Sequence, residues 1–444
     1  MEMMLSYIKT VRYIHDMMKR AYWPRSKLLD YQNKRLRHLI RHSYESVSFY
    51  HERFRRANVR PEDIRTIQDL NRLPIVRKNE IKGNSHSFVS REYEISSLRP
   101  LLTSGSTGTP LQVLISRDED SFRKAKHLRA NLSCGHMPFD RWVTITSPSH
   151  FSETKKLQRT LGIYAPRFVS VFDQVPKQLS TIEKMRPEVL DGYSSSLFLL
   201  AKEIERSGST VIKPKIVFGG AELTDNASRD FIEKTLNVPF YDQYATIEFE
   251  RMAWQCPAKS CYHMDSDAIV MQFVDQNGEE VSEGESGEVI CTSLFSYAMP
   301  FIRYAVGDIG TLSSGECSCG RQLPLMKIIE GRSDSLLLLP KGRTLSPRTF
   351  TIAVNKFSLS RYFEQFRVIQ KKTDYFKIQI KIQGDSTKKT AIEAGLPVHL
   401  KKMLNVETDE IRFEIEFVDE IPLDKSGKLM IVTSELGQNT LVKG

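Results

Sequence analysis

The chain has 444 residues, 40% apolar and 27% charged. That is ordinary for a soluble globular protein and long enough for two or three domains. No stretch approaches the ~20 apolar residues that cross a bilayer, and six cysteines in such a length do not make a disulfide scaffold. Met1–Arg12 has no apolar block followed by a small-residue cleavage site, so the cytoplasm is the expected compartment. The net charge of +10 is uneven, because residues 1–60 hold fourteen Lys/Arg against five Asp/Glu. No aromatic-interleaved basic groove or zinc-finger spacing accompanies this charge, so nucleic acid is not an expected partner. A solvated helix face is the plain reading; peripheral contact with a membrane surface is the other.

In chain order, Met4, Tyr7, Ile8, Val11, Ile14 and Met18 recur at helical spacing with basic residues between them, and a second basic helical pattern runs from Leu28 to Tyr50. Pro61-Glu62-Asp63 reads as a helix start. The middle of the chain alternates short apolar runs with helical segments. Trp142–Ile145, Val189–Leu190, Lys215–Phe218 and Val289–Thr292 read as strands; Thr181–Met185, Leu197–Arg206 and Ser228–Leu236 read as helices. This alternation predicts an α/β domain. The tail changes character: Phe376, Ile378, Ile380 and Ile382 alternate with polar residues, as do Ile411, Phe413, Ile415 and Phe417, which predicts half-buried strands. Thr390–Leu404 between them has helical composition interrupted by Gly395 and Pro397. A joint is expected at Gly331–Pro340, dividing a large domain, 1–334, from a small α+β domain, 335–444. Within the large domain, 1–95 is helical and basic, and 96–334 carries the chemistry.

The sharpest local signal is Thr103-Ser104-Gly105-Ser106-Thr107-Gly108-Thr109-Pro110. Its hydroxyls and unobstructed N–H groups suit phosphate oxygens, although it lacks the Gly-Lys-Ser/Thr of a Walker loop and a flexible loop would look similar. Downstream come Gly219-Gly220-Ala221-Glu222-Leu223, Tyr244-Ala245-Thr246-Ile247-Glu248, Arg303-Tyr304-Ala305-Val306-Gly307-Asp308, Gly331-Arg332-Ser333-Asp334 and Pro422-Leu423-Asp424-Lys425-Ser426-Gly427-Lys428. Each alone reads as a turn. In this order they resemble the adenylate-forming superfamily. Gln32-x-x-Arg35-Leu36, Ser48-Phe49-Tyr50, Pro61-Glu62-Asp63-Ile64 and Leu70–Lys78 narrow the resemblance to the phenylacetate–CoA ligase family, with its coenzyme F390 synthetase-like and CapK-like members, from about Gln32 to Lys428. Two departures stand out. Leu111 replaces the Lys that often follows the loop proline, as is usual in this narrower family, and Ala245 stands where a Gly is usual.

The resemblance implies a multi-layer α/β N-terminal domain with a small mobile α+β C-terminal domain, and ATP-dependent activation of a carboxylic acid as an acyl-adenylate, followed by transfer to CoA. It places the β- and γ-phosphates on Thr103, Ser104, Ser106, Thr107, Gly108 and Thr109. Mg²⁺ falls to Glu248, adenine to Gly220, Ala221, Glu222 and Tyr244, and Ala245 and Thr246 are further cofactor-binding positions. Asp308 would hold the ribose and Arg332 the ribose and phosphate, with Lys428 acting on the α-phosphate and the carboxylate. Asp334 would be the hinge. Trp142, Ser147–Phe151 and Asp191–Ser195 are its candidates for the acid pocket, with Tyr193 equally readable as core packing. Transfer to an amine or sugar in cell-surface polysaccharide biosynthesis, in place of CoA, is an alternative, as is nucleotide binding without turnover; a homodimer is a further expectation. Separately, Cys256-x4-Cys261-x-His263 and Cys317-x-Cys319 offer five candidates for the four places of a structural Zn²⁺ site, with Cys261 or His263 to spare. Cys134 and Cys291 read as lone buried thiols.

Overall fold

The computed structural model describes residues 2–82, 84–103, 111–151, 156–222, 224–259, 261–327, 331–332, 337–382, 386–407 and 410–436. The chain forms two compact units, each discontinuous in sequence: Met1–Pro138 with Tyr241–Ile329, and Phe139–Phe240 with Glu330–Gly444. Among the described residues no helix is long and apolar enough to cross a membrane.

In the first unit the N-terminal amphipathic helix, Glu2–Arg20, lies along the helix Arg117–Ser133. Lys9 pairs with Asp118 at 2.6 Å, and the Tyr13 hydroxyl donates to the same carboxylate at 2.9 Å. Arg117–Ser133 is capped by Ser116, whose hydroxyl accepts from the Glu119 N–H, and it opens with Asp118, Glu119 and Asp120 at its positive end. The Leu28–Tyr50 pattern is two helices, Arg25–Ser46 and Ser48–Arg56, because Val47 is extended between them (φ −120°, ψ 110°). Pro61–Asp63 starts no long helix and closes a single 3₁₀ turn.

Behind these helices runs an antiparallel sheet. Its order is Ile269–Val274, Ser286–Ser293, Tyr304–Ser313, Leu325–Met326, Tyr262–Met264, Glu250–Gln255 and Phe240–Thr246. Leu36, Leu39, Ile40, Phe88, Phe122, Phe273, Val289 and Phe301 are buried in the core it shares with the helices.

Charge is buried in this core as well. Arg129, fully inaccessible, donates from Nη1 to Asp267 at 2.8 Å and from Nη2 to Asp265; both carboxylates are equally buried. Arg20 reaches Asp267 at 2.8 Å, and the Trp254 indole donates to Asp265 at 2.8 Å. Burial pushes both carboxyls up. For Asp265 burial prevails, whereas for Asp267 the two guanidiniums prevail and hold it below the usual range.

The second unit contains a parallel sheet of Ile216–Gly220, Val189–Tyr193, Trp142–Thr146 and Arg167–Ser170, in that order. The helices Val175–Met185, Ser194–Ser207 and Asn226–Leu236 bury Leu179, Ile182, Leu197, Leu200 and Ile232 in its core. The tail of the chain has a separate core, in which Val368, Phe376, Ile378, Ile380, Phe350 and Leu396 are inaccessible. There the sheet order is Arg412–Phe417, Tyr375–Ile382, Phe363–Lys372 and Val432–Ser434. Gly395 and Pro397 do not interrupt the helix after all; it runs from Lys389 to Met403. Burial of Ile392, Leu396 and Leu400 offsets the hydrogen bond proline removes, and Gly395 admits the Phe357 ring, which a Cβ would meet at 3.3 Å.

Removing the Arg129 guanidinium while keeping its stem leaves Asp265 and Asp267 buried against fewer cations. Arg129→Met is therefore expected to destabilise the protein by about 3–5 kcal/mol, read as a fall in the urea unfolding midpoint.

Candidate active site

The Ser/Gly/Thr loop rises from a short antiparallel pair, Arg99–Leu102 with Gln112–Ile115, in which Leu102 faces Gln112. Thr103 closes the stem. Its N–H donates to the Leu111 carbonyl at 3.0 Å, and its hydroxyl accepts from the Leu111 N–H at 2.8 Å. Ser104–Pro110, which include Ser106, Thr107, Gly108 and Thr109, lie outside the described residues, as do Leu223, Ser333 and Asp334 and the side chain of Arg332.

The first unit carries three of the sequence-expected side chains close together. Tyr244, on the strand Phe240–Thr246, donates its hydroxyl to Asp308 Oδ2 at 2.6 Å. Burial, then the Asp308 carboxylate, pushes that hydroxyl well above its ordinary pKa, so it remains a donor. Glu248 is buried and accepts from the Tyr304 hydroxyl at 3.0 Å. This turn is held by Tyr304, which the sequence offered only as part of the Arg303–Asp308 motif, and by Arg123, which the sequence did not single out and which donates to the carbonyls of Ile247 and Glu248. Thr246 Oγ1 accepts from the Phe249 N–H at 3.2 Å, and Ala245 is exposed. A helical arginine carries no sequence mark that distinguishes this use from a solvated one.

Also in the first unit, Cys256, His263, Cys317 and Cys319 converge, each offering one ligand atom within 4.8 Å of the others. Cys256 Sγ and Cys317 Sγ are 3.5 Å apart, and Cys319 Sγ is 3.3 Å from His263 Nε2. The first distance is far beyond a disulfide bond and close to the edge of about 3.7 Å expected of thiolates on a tetrahedral zinc. The open choice between Cys261 and His263 is answered by position: His263 joins the cluster, and the Cys261 thiol sits 3.5 Å from Ser313 Oγ. Gly320 N–H donates to the Cys317 carbonyl at 3.0 Å, folding the Cys317-x-Cys319 turn. Cys134 and Cys291 are buried free thiols; burial pushes Cys134 up to about 12 and Cys291 well above its ordinary value.

In the second unit the parallel strands run out at one edge, the usual place for a ligand site in an open α/β sheet. Ser147–Phe151 follow Thr146; Ser194 and Ser195 follow Tyr193; Ala221 and Glu222 follow Gly220. Ala221 adopts φ +64°, a strained value for alanine. Phe151 stacks on Phe168, with ring centroids 5.0 Å apart, and Ser194 Oγ meets Thr224 Oγ1 at 2.5 Å. Trp142 is buried on its strand.

Lys428 lies at this same edge, its Nζ 5.8 Å from the centroid of the Tyr193 ring. Its turn is built by Asp424, whose Oδ1 accepts from Ser426 N–H at 2.8 Å, Ser426 Oγ at 2.7 Å and Lys428 N–H at 2.9 Å. Gly427 takes φ +83°, and a Cβ there would meet Val171 Cγ2 at 2.2 Å. The Tyr193 hydroxyl is 3.0 Å from His150 Nδ1 and donates to the Ser426 carbonyl at 3.4 Å. Glu222, expected beside adenine, uses both carboxylate oxygens on backbone: Oε2 accepts from Ser195 N–H at 2.8 Å and Oε1 from Leu429 N–H at 3.1 Å.

The fold is that of the adenylate-forming ligases. The chain superposes on 2-hydroxyisobutyryl-CoA ligase with a TM-score of 0.79, covering 95% of this chain and 92% of the other at 18% identity. It superposes on the anthranilate CoA ligase AuaEII with a TM-score of 0.59, covering 77% and 67% at 16% identity. In sequence the chain is similar to phenylacetate–coenzyme A ligases. It is 27% identical to that of Thermus thermophilus over 71% of this chain and 73% of the relative, and 26% identical to that of Escherichia coli over 85% and 89%. It is also 24% identical to protein CapK of Staphylococcus aureus over 90% and 88%. No protein-family model matches the chain.

Burial, then the Arg321 charge, lowers the His263 imidazole from 6.5 to about 4. Its folded value lies below the unfolded one, so between those limits the unfolded chain binds a proton that the folded chain refuses. Stability of chelator-treated protein should therefore fall as pH drops through that window, by about 3 kcal/mol at full extent. His263→Gln should flatten the dependence in urea titrations between pH 7 and 4.5.

Proposed function

We propose that this protein is an ATP-dependent, AMP-forming acid–thiol ligase that activates a carboxylic acid as its acyl-adenylate and passes the acyl group to CoA. The observation that carries the reading is the similarity to phenylacetate–coenzyme A ligases over most of both chains.

In the first step a carboxylate oxygen attacks the α-phosphorus of ATP and pyrophosphate leaves. Both reactants are anions, so alignment and charge neutralisation are the catalytic problem. Lys428, on its fixed turn, supplies a cation for the α-phosphate and carboxylate. Asp308 accepts from the ribose hydroxyls and Arg332 lies toward ribose and phosphate; Gly220, Ala221 and Tyr244 line adenine with Ala245 and Thr246 beside the nucleotide, and Glu222 is set aside from that lining because both its carboxylate oxygens accept from backbone N–H groups. Thr103 and the loop Ser104–Thr109 hold the departing phosphates. Glu248 is the residue for Mg²⁺, a hard cation that would neutralise phosphate charge. In the second step the CoA sulfur attacks the acyl carbon and AMP leaves. Residues 335–444 act as the lid, with Asp334 as hinge, and withdraw Lys428 between steps.

The acid pocket draws on Trp142, Ser147–Phe151 and Asp191–Ser195. The alternative reading passes the same acyl-adenylate to an amine or sugar in cell-surface polysaccharide biosynthesis. Incubation with CoA and mass detection of a thioester separates the two.

Cys256, His263, Cys317 and Cys319 fit a structural Zn²⁺ by donor type and spacing. Metal analysis of untagged protein should give about one zinc per chain, and Cys319→Ser should abolish it. On the N-terminal helix, Leu5, Ile8 and Val11 are 53%, 56% and 65% exposed beside Lys9, Arg12 and Lys19, which supports peripheral contact with an anionic bilayer. Sedimentation with phosphatidylserine vesicles should capture the protein, and Ile8→Glu should release it.

Lys428→Ala should reduce acid-dependent ATP–pyrophosphate exchange by at least about a thousandfold while ATP binding survives. A panel of aryl and small aliphatic acids supplies the substrate, and unchanged pyrophosphate release in the variant would refute the lysine's role.

A further inference from the structure

The turn that carries Lys428 is seated at the edge of the parallel sheet by contacts that the lysine itself does not make. Glu222 Oε1 accepts from the N–H of Leu429, the next residue along, at 3.1 Å. Its other oxygen accepts from the N–H of Ser195 at 2.8 Å, in the first turn of the helix Ser194–Ser207. One carboxylate therefore ties the backbone beside Lys428 to the start of a helix, where the macrodipole and unpaired N–H groups favour an anion. Further along the same helix, Lys202 donates to the Phe363 carbonyl in the tail's own sheet. Gly427 against Val171 fixes the depth at which the turn sits, because no larger residue fits there.

We propose that Glu222 is a positioning residue that seats the Lys428 turn for acyl-adenylate formation, with Lys202 as a second anchor, and that it acts on the first half-reaction and not on the second. The proposal rests on the adenylating function argued above. Glu222 is suited to the task because its two oxygens can serve two separate backbone donors at once. A glutamine offers one carbonyl oxygen and turns its amide nitrogen toward a donor, so it keeps one bond of the two. An alanine keeps neither. The first half-reaction needs the lysine in its seat. The second needs it withdrawn, so loss of the clamp does not slow that step.

The test uses full-length Glu222→Gln, Glu222→Ala and Lys202→Met with three measurements. These are acid-dependent ATP–pyrophosphate exchange, acylation of CoA from supplied acyl-adenylate, and hydrogen exchange of the Leu429 amide without substrates. The expected result for Glu222→Ala is exchange slower by about ten- to a hundredfold, with KM for ATP within about twofold. CoA acylation should stay within about twofold of wild type, and Leu429 should exchange at least about tenfold faster. Glu222→Gln should fall between alanine and wild type, and Lys202→Met should follow the same pattern more weakly. Half-reactions that fall in parallel, pyrophosphate exchange that does not change, or a Leu429 amide as protected as in wild type would each overturn the positioning role. A wild-type protein with no acid-dependent exchange would instead bring down the adenylation reading and this proposal with it. That outcome is distinct from a wild type that exchanges and a variant that matches it.

Discussion

Two carboxylates, Asp424 from within the turn and Glu222 from outside it, hold Lys428 in place by gripping the backbone N–H groups of Ser426, of Lys428 itself and of Leu429. Charge-assisted bonds of this kind are short and roughly twice as strong as neutral ones. Because these bonds run through the backbone, the ammonium is left out of them, while its charge favours the ionised form of Glu222 against the effect of burial. The acid-activating role proposed for Lys428 needs that arrangement: a lysine held by its own ion pair would meet two anionic substrates already neutralised.

The first unit solves the same problem with the opposite charge. The Arg123 guanidinium grips the carbonyls of Ile247 and Glu248, so the turn carrying the Glu248 carboxylate is fixed through its main chain. The carboxylate itself takes only the Tyr304 hydroxyl among its described contacts. One helix, Arg117–Ser133, supplies both Arg123 and Arg129. Arg129 in turn holds Asp265 and Asp267, and Asp265 accepts from Trp254, whose ring lies 5.2 Å from that of His263 in the Cys/His cluster. Buried charge of this sort adds little net stability over a well-packed apolar core, but removing one member is severe. It makes the relative placement of these elements all-or-none.

The parts of this architecture that sequence exposes are those governed by short-range periodicity and by turn chemistry. The apolar runs at Trp142–Ile145 and Val189–Leu190 become buried strands, and alternation at Phe376–Ile382 becomes a strand with Phe376, Ile378 and Ile380 buried; Arg412–Phe417 is a strand too, but Ile415 and Phe417 are only partly buried. Boundaries set by tertiary packing were not legible. Val47 breaks one helical pattern into two, and Pro397 fails to break another because Leu396 and Leu400 are buried around it. In the site, Tyr244, Glu248, Asp308 and Lys428 stand out as motifs. Arg123, Val171 and the backbone task of Glu222 do not, since each depends on a partner 100 or more residues away. The choice between Cys261 and His263 was likewise a matter of which atom faces inward on neighbouring strands, and spacing along the chain does not encode that.

The separateness of two hydrophobic cores in the second unit bears on how such a lysine could be moved. The tail buries Val368, Phe376, Ile378 and Leu396 among themselves, while the parallel sheet buries Val217, Leu190, Ile145 and Leu200 in its own cluster. What joins the Lys428 turn to the sheet edge includes a short set of hydrogen bonds, each worth only about 1 kcal/mol net or somewhat more where charge assists, with Gly427 close against Val171. Parting such a junction exposes little apolar surface and leaves polar groups that water can satisfy. A tail welded to the sheet through a shared core would have to unfold to release its lysine. One docked through carboxylate, tyrosine and glycine can be seated firmly for one step and let go for the next.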